Sequence, residues 1–367
     1  MGAGQVKSIK ISKNPELLAL PYLKRYHVWL KKNLFATPID TLMSITIIFI
    51  LWKMTSFLWD WLLTSAVWVG TAENCRQAQG ACIAFLLEKA PFILFGFYPQ
   101  ESIWRPLLLF CFFILLIAFS KKRERWNLNL GIFWCAFLAL FFIFMDGSFI
   151  GLKRVGIEKW GGLPLTLMLA VLGIGFSYPL GIALALGRKS KLPVLKGLSI
   201  IYIESIRGVP LISLLFMSSV MMPLFLPEGV TLHKLLRAQL AIIFFSSAYM
   251  AEVVRGGLEA IPQGQWEAAR ALGLNKMRIL QLVVLPQALR VVIAPTVNTF
   301  IGLFKDTSLV IIIALFDLMY TAKASLKDPE WLGFSVEAYM FVALIYFVFC
   351  FSMSKYSRRL EREMSKG

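Results

Sequence analysis

Glu267-Ala268-Ala269-Arg270-Ala271-Leu272-Gly273 lies between two long apolar runs, and ten residues beyond its glycine comes Val283-Val284-Leu285-Pro286. The spacing is E-A-A, three residues, G, nine residues, V-x-L-P. Ala268, Ala269 and Ala271 favour helix and permit close backbone approach by a partner, and Gly273 suits the left-handed residue that ends a short helix. Asn275 then supplies an N-cap for a second helix. That helix is expected to carry Met277, Leu280 and Val284 on one face and Lys276, Arg278 and Gln281 on the other, and to stop at Pro286. A polar helix-turn-helix between lipid-soluble segments is an exposed knob, so a surface for a partner in the adjoining water is expected here.

The rest of the chain reads as membrane. With 58% hydrophobic and 16% charged residues in 367, and a mean hydropathy of +0.70, it is too apolar for an ordinary soluble domain. About 20 apolar residues span the hydrocarbon of a bilayer. Eight candidate spans occur, near 40–59, 105–120, 130–149, 164–187, 197–226, 238–255, 291–316 and 335–354. The fold class is therefore an all-α polytopic membrane protein with about eight transmembrane helices, and an even number puts both termini on one side.

Placing the N-terminus in the cytoplasm leaves 25 of the 38 Lys and Arg in inside segments and ten outside, with Lys53, Arg207 and Lys305 within spans. Cytoplasmic loops retain Lys and Arg, so both termini and the Glu267 loop are expected in the cytoplasm. The net charge of +17 then reads as topology. A nucleic-acid interface gathers its basic residues on one soluble face with exposed aromatics. Here five short segments share them, so membrane lipid is the expected surrounding and no nucleic acid is.

Residues 1–35 are basic and interrupted by prolines, with no cleavable signal evident. Leu17, Leu18, Leu20, Leu23, Trp29 and Leu30 interleave with Lys24, Arg25, Lys31 and Lys32, the pattern of a helix lying in the cytoplasmic interface. Residues 36–160 give three spans and a long external loop, 60–104, flanked by Trp59, Trp61, Trp68 and Trp104 at interface positions. Residues 161–356 give five spans and a cytoplasmic loop at 256–290, and 357–367 form a basic tail. No internal repeat or inverted pair is found, which weighs against many gradient-driven carrier folds.

Cys111, Cys135 and Cys350 fall in apolar spans and read as packing. Cys75 and Cys82 fall in the external loop, where an oxidising compartment lets them form a disulfide. No His, Asp or Glu cluster has metal-ligand spacing, so no metal site is expected. Gly181–Ser190, GIALALGRKS, has five residues between its glycines and an arginine before the lysine, so it departs from the phosphate-binding pattern G-x4-G-K-[ST]. No ATPase is expected on this chain.

Charges inside the second part are the other informative feature, because a charged side chain at the bilayer centre costs roughly 2.5–3.5 kcal/mol on insertion scales. Glu204 and Arg207, three residues apart, can meet on one helix face, just before Gly208 and Pro210 disturb it. They are either an ion pair that fixes helix packing or part of a gate. Lys305-Asp306-Thr307-Ser308 lies near the middle of the seventh span, and adjacent residues on a helix cannot neutralise each other. Asp306, Thr307 and Ser308 are good N-cap types, so a break is expected, with a half-helix starting around Thr307. Such a break faces a solute pathway or is a packed structural turn. Glu252 and Arg255, again three apart, are expected to orient the loop that follows.

With these residues assembled, 161–356 resembles the permease core of polar amino acid ABC importers. The resemblance is carried by GGLPLTL at 161–167, IESIRGVPL at 203–211, AYMAEVVRGGLEAIPQGQWEAARALG at 248–273, VVLPQALR at 283–290 and LFKDTSL at 303–309. KNLFATP at 32–38, GACIAF at 80–85 and FGFYP at 95–99 extend the likeness to the eight-span permeases of general L-amino acid importers. The one departure noted is Val283, where the loop pattern often has isoleucine.

The resemblance implies a type I ABC importer permease core of five helices preceded by a three-helix extension, in a bacterial inner membrane. It implies as partners a second related permease in a heterodimer, two copies of a cytoplasmic ATPase that holds ATP and Mg, a periplasmic amino-acid-binding protein and an amino acid substrate. Carried onto this sequence, Glu267, Ala268, Ala269, Gly273, Leu285 and Pro286 form the ATPase-coupling contact, and Glu204, Arg207, Pro210, Lys305, Asp306, Thr307 and Ser308 lie on the pathway or its gate. This chain itself is then a transporter subunit with no catalytic residues and no cofactor. A gradient-driven carrier explains the buried charges equally well, and a non-transporting scaffold explains the loop as an interaction site alone.

Overall fold

The computed structural model describes residues 29–364. The interfacial helix expected from Leu17 to Leu30 lies almost wholly outside them, as do the last residues of the basic tail. Among the described residues, seven helices are long and apolar enough to cross a membrane, or eight if one bent pair counts as a crossing. The chain divides into two compact units, Met1–Ile83 and Ala84–Gly367.

In the first unit, α1 (Pro38–Trp59) starts at Thr37, whose hydroxyl accepts from the backbone of Asp40, with Pro38 in the first turn. Apolar side chains point from it in every direction, and Ser44 is its one buried residue. A helix that is apolar all round and unburied is solvated by lipid. Lys53 lies 5.3 Å from the Trp52 ring centroid. Further on, the structure joins Cys75 and Cys82 in a disulfide with Cα atoms 5.4 Å apart.

In the second unit the segment expected as an external loop is folded. It holds α2 (Ile83–Phe95), too short to cross a bilayer. Phe85 is fully buried against Trp331, with ring centroids 5.8 Å apart. Lys89 pairs with Asp328 at 2.7 Å and Glu88 at 2.9 Å. Burial alone would lower the Lys89 pKa, but hydrogen bonds to those carboxylates outweigh it and raise it. The same bond from Lys89 holds Asp328 below the ordinary carboxylate range.

An antiparallel hairpin follows, of α3 (Trp104–Ser120) and α4 (Leu128–Asp146). Asn127 caps α4 by accepting from Leu130, and Gly147 ends it at φ 82°. The core is built around α5 (Gly162–Arg188) and α7 (Lys234–Glu259), with α6 (Pro193–Arg207) between them in sequence. Small residues set the distance between α5 and α7, since a Cβ on Gly181 would come within 2.6 Å of the Met250 Cβ.

Residues 197–226 do not form the single expected span. They make two helical segments, Pro193–Arg207 and Leu211–Phe225, bent by 103°. The bend falls at Gly208 to Pro210, where proline has no N–H to continue the ladder.

The amphipathic α8 (Gln263–Ala271), α9 (Ile293–Asp306) and α10 (Ser335–Met364) complete the unit. The start of α5 is tied down by backbone bridges from Gly161 to Phe316 and from Gly162 to Asp317. Gly162 sits at φ 63°, where a Cβ would be 2.1 Å from the Leu94 carbonyl oxygen. Asp317 is fully buried and caps the helix Leu318–Ser325 by accepting from the backbones of Met319 and Tyr320. Burial pushes its carboxyl up to about 7, against those N–H bonds, which favour the charged form.

Candidate coupling loop and charged cluster

The loop after α7 begins at Pro262, which caps α8, and α8 ends where Gly273 takes φ 73°. Nothing lies within 4 Å of a Cβ built on Gly273, so its left-handed backbone, and no want of space, is what requires glycine there. Asn275 caps the following turn by accepting from the backbone of Arg278.

From there the chain does not stop at Pro286. Lys276–Arg278 passes into a π-helical stretch, Ile279–Val284, and on into helix Leu285–Val291, with Pro286 in the first turn of that last piece. The wider π turn accommodates the residue without an N–H, and it also resets the buried face. Ile279, Val284 and Ala288 point inward, five and then four residues apart, whereas Met277 is 63% exposed. The expected Met277–Leu280–Val284 stripe is therefore corrected to one led by Ile279.

Ala269 is buried in the same cluster as Ile279, Val284, Ala288 and Val254 of α7. It seats the loop on its base, and is not open to a partner. Glu267, Ala268 and Gly273 are exposed, as is Pro286, while Leu285 is half-buried. Leu272 is 80% exposed, an apolar side chain standing on a polar loop, which the alanine and glycine spacing had overshadowed.

Of the two expected local pairs behind the loop, Glu252 with Arg255 forms and the other does not. Glu204 and Arg207 do not meet. Glu204 accepts from Arg188 at 2.8 Å. Glu252 is the hub, bonded to Arg255 through Oε1, with the Arg188 and Arg207 guanidinia 3.6 and 3.7 Å from its Oε2. That oxygen accepts no hydrogen bond, nor does the Arg207 Nε donate one. Arg255 also reaches Glu259. Arg188, the last residue of α5, thus joins that helix to both α6 and α7. Arg207 lies 5.6 Å from the Tyr249 ring centroid.

Beneath the loop a polar cavity of about 540 Å³ is lined by Arg188, Lys189, Lys196, Glu259, Trp266 and Lys276, among others. Burial lowers the Lys189 pKa, with Glu259 opposing and Arg255 adding to the effect.

The expected break at Thr307 is absent. Helix α9 tightens into a 3-10 stretch, Thr307–Ile313, and Asp306 makes no capping bond. The Thr307 and Ser308 hydroxyls instead donate back to the carbonyls of Phe304 and Lys305. The turn comes later, at Ala314, the one described non-glycine residue with positive φ, 53°. Lys305 is exposed on this span, Asp306 and Ser308 are half-buried and Thr307 is fully buried. Among the described residues no group of three His, Cys, Asp or Glu could hold a metal ion.

Comparison with known proteins bears on this arrangement. A family model described as the inner membrane component of binding-protein-dependent transport systems matches residues 177–366. The inner membrane amino-acid ABC transporter permease protein YhdY of Escherichia coli (strain K12) is 47% identical over 346 residues, covering 94% of this chain and 94% of that protein. The glutamate/glutamine/aspartate/asparagine transport system permease protein BztC of Rhodobacter capsulatus is 34% identical, over 92% of this chain and 93% of its own. A crystal structure of an amino acid ABC transporter with histidines aligns with 54% of this chain and 90% of that chain, at 31% identity and a TM-score of 0.49.

Proposed function

The chain belongs to the family of inner membrane components of binding-protein-dependent transport systems, and from that premise we propose that it forms half of the translocation pathway of an ATP-driven amino acid importer. Its full-length relatives carry amino acid permease names, and ATP hydrolysis belongs to a separate subunit, which holds the nucleotide and Mg. A second related permease completes the pathway, two ATPase copies sit below it, and a periplasmic binding protein delivers the solute. The protein is a multi-pass component of the inner membrane, with both termini on the cytoplasmic side.

The observation that carries this reading is the loop. Exposed Glu267, Ala268 and Leu272 stand on a seat of buried Ala269, Ile279 and Val284, so a load applied to the knob passes into α7 without bending the connection. At the foot of α7, Glu252 and its three arginines tie α5 and α6 to the same motion. ATP-driven closure of the ATPases pushes on the knob, and the charged cluster passes that displacement to the helices around the bend at Gly208 to Pro210. Arg207, Lys305, Asp306 and Ser308 line or flank the route. The disulfide of Cys75 and Cys82 lies on the periplasmic side.

Copurification from membranes tests the proposal. An ATPase and a second permease are expected to accompany the chain, and labelled amino acids to enter vesicles holding the complex only when ATP and the binding protein are supplied. Uptake by this chain alone without nucleotide would establish a gradient-driven carrier instead.

A further inference from the structure

A second cavity in the second unit is unrelated to the coupling loop. It is a groove of about 990 Å³ between the α3–α4 hairpin and the core helices α5 and α10, and its lining is almost wholly apolar. Leu109, Phe113 and Phe141 form its buried wall, each nearly inaccessible. At the end near Lys121, both Lys121 and Trp126 are exposed, and midway along the groove Ile114, Leu344 and Val348 are about half exposed. The hairpin therefore packs on the core through one face and leaves the groove open along another and at the Lys121 end. A void of this size is foreign to a packed interior, and in a bilayer apolar walls are covered by alkyl chains.

The open end is chemically distinct. Lys121, Trp126 and Tyr356 line it, and the Trp126 and Trp134 ring N–H groups donate to the Ser120 carbonyl and hydroxyl oxygens, fixing the rim. Lys121 is exposed and makes no ion pair among the described residues. Lys122 and Arg125 stand beside it against one carboxylate, Glu124. From Pro106 to Lys121 along α3 is about 22 Å, longer than the roughly 15 Å of hydrocarbon in one leaflet.

We propose that this groove holds an anionic phospholipid as a bound component, its acyl chains between hairpin and core and its phosphate on Lys121. In the orientation given above it comes from the inner leaflet. Basic pockets between transmembrane helices on that side suit such headgroups. The lipid fills the space that hairpin and core leave open, which gives the appended helices a lipid-dependent seat on the transport core.

Native mass spectrometry of the full chain, exchanged into phosphatidylglycerol or phosphatidylethanolamine of matched acyl chains, tests this. One phosphatidylglycerol is expected to survive delipidation in preference to phosphatidylethanolamine. Lys121→Gln, at an exposed site whose loss leaves the fold intact, is expected to weaken that preference about fivefold, and Lys121→Arg to keep it. Ile114→Trp, which fills the groove, is expected to abolish retention of both lipids. Equal retention of the two lipids, or a preference unchanged in Lys121→Gln, would overturn the proposal and leave only ordinary boundary lipid.

Discussion

At the residue scale, two carboxylates decide how the core responds to charge. Asp317 is fully buried, and its carboxyl is pushed up to about 7 by that burial. A carboxyl whose folded value exceeds its unfolded one, about 3.9, stabilises fully below the unfolded value, and that stabilisation drains away as pH rises through about 7. The unfolding midpoint of the purified protein is therefore expected to fall between pH 5 and pH 8. Asp317→Asn, which keeps an acceptor for the helix cap but cannot ionise, should flatten that slope. An equally steep slope in the variant would assign the titration elsewhere.

Glu252 is the second carboxylate. Its side chain is 25% exposed and three arginines share it, so its loss falls between the cost of exposed and of buried pairs. Glu252→Gln is expected to cost about 1–2 kcal/mol, whereas Arg188→Gln costs less because Arg255 and Arg207 still neutralise the hub. Chemical unfolding of both variants checks the order, and equal losses would contradict a hub at Glu252. Only one contact of this cluster was legible in the sequence. The i, i+3 rule brought out Glu252 with Arg255 because both lie on one helix. It failed for Glu204 with Arg207 because their partners come from other helices.

At the element scale the loop shows what local chemistry can and cannot specify. Gly273 and the Asn275 cap were readable, because a left-handed turn and an N-cap are decided within a few residues. The π turn at Ile279–Val284 was not, since nothing in its residue types marks an extra residue per turn. The hydroxyls of Thr307 and Ser308 misled for a related reason. Cap-forming types also bond back to their own helix, and here they tighten α9 while Ala314 makes the turn.

Gly273→Val forces a β-branched residue to φ 73°, so the loop must re-form with Leu272 displaced. Uptake is expected to fall at least about tenfold, the equivalent of roughly 1.4 kcal/mol of coupling, with membrane abundance unchanged. Loss of the protein from the membrane would show instead that Gly273 serves folding.

At the scale of the whole molecule, composition, hydropathy and the Lys and Arg distribution sufficed for an all-α membrane protein with about eight crossings, because those properties sum over the chain. They did not foresee that the fifth crossing bends by 103°, or that the external segment carries a folded helix pinned through Lys89 to Asp328. The bend follows from Gly208 and Pro210, local residues whose disturbance of the helix is legible in the sequence, whereas the pinned helix depends on a contact between residues far apart in the chain. The central claim remains that a cytoplasmic knob on a rigid seat receives work from an ATPase. The most direct measurement places a photo-crosslinking residue at Leu272 of the full chain in intact cells. The account predicts capture of a nucleotide-hydrolysing subunit from the cytoplasm, in a yield that changes when ATP is depleted. Absence of any such capture, or labelling of that position from the periplasm, would contradict it.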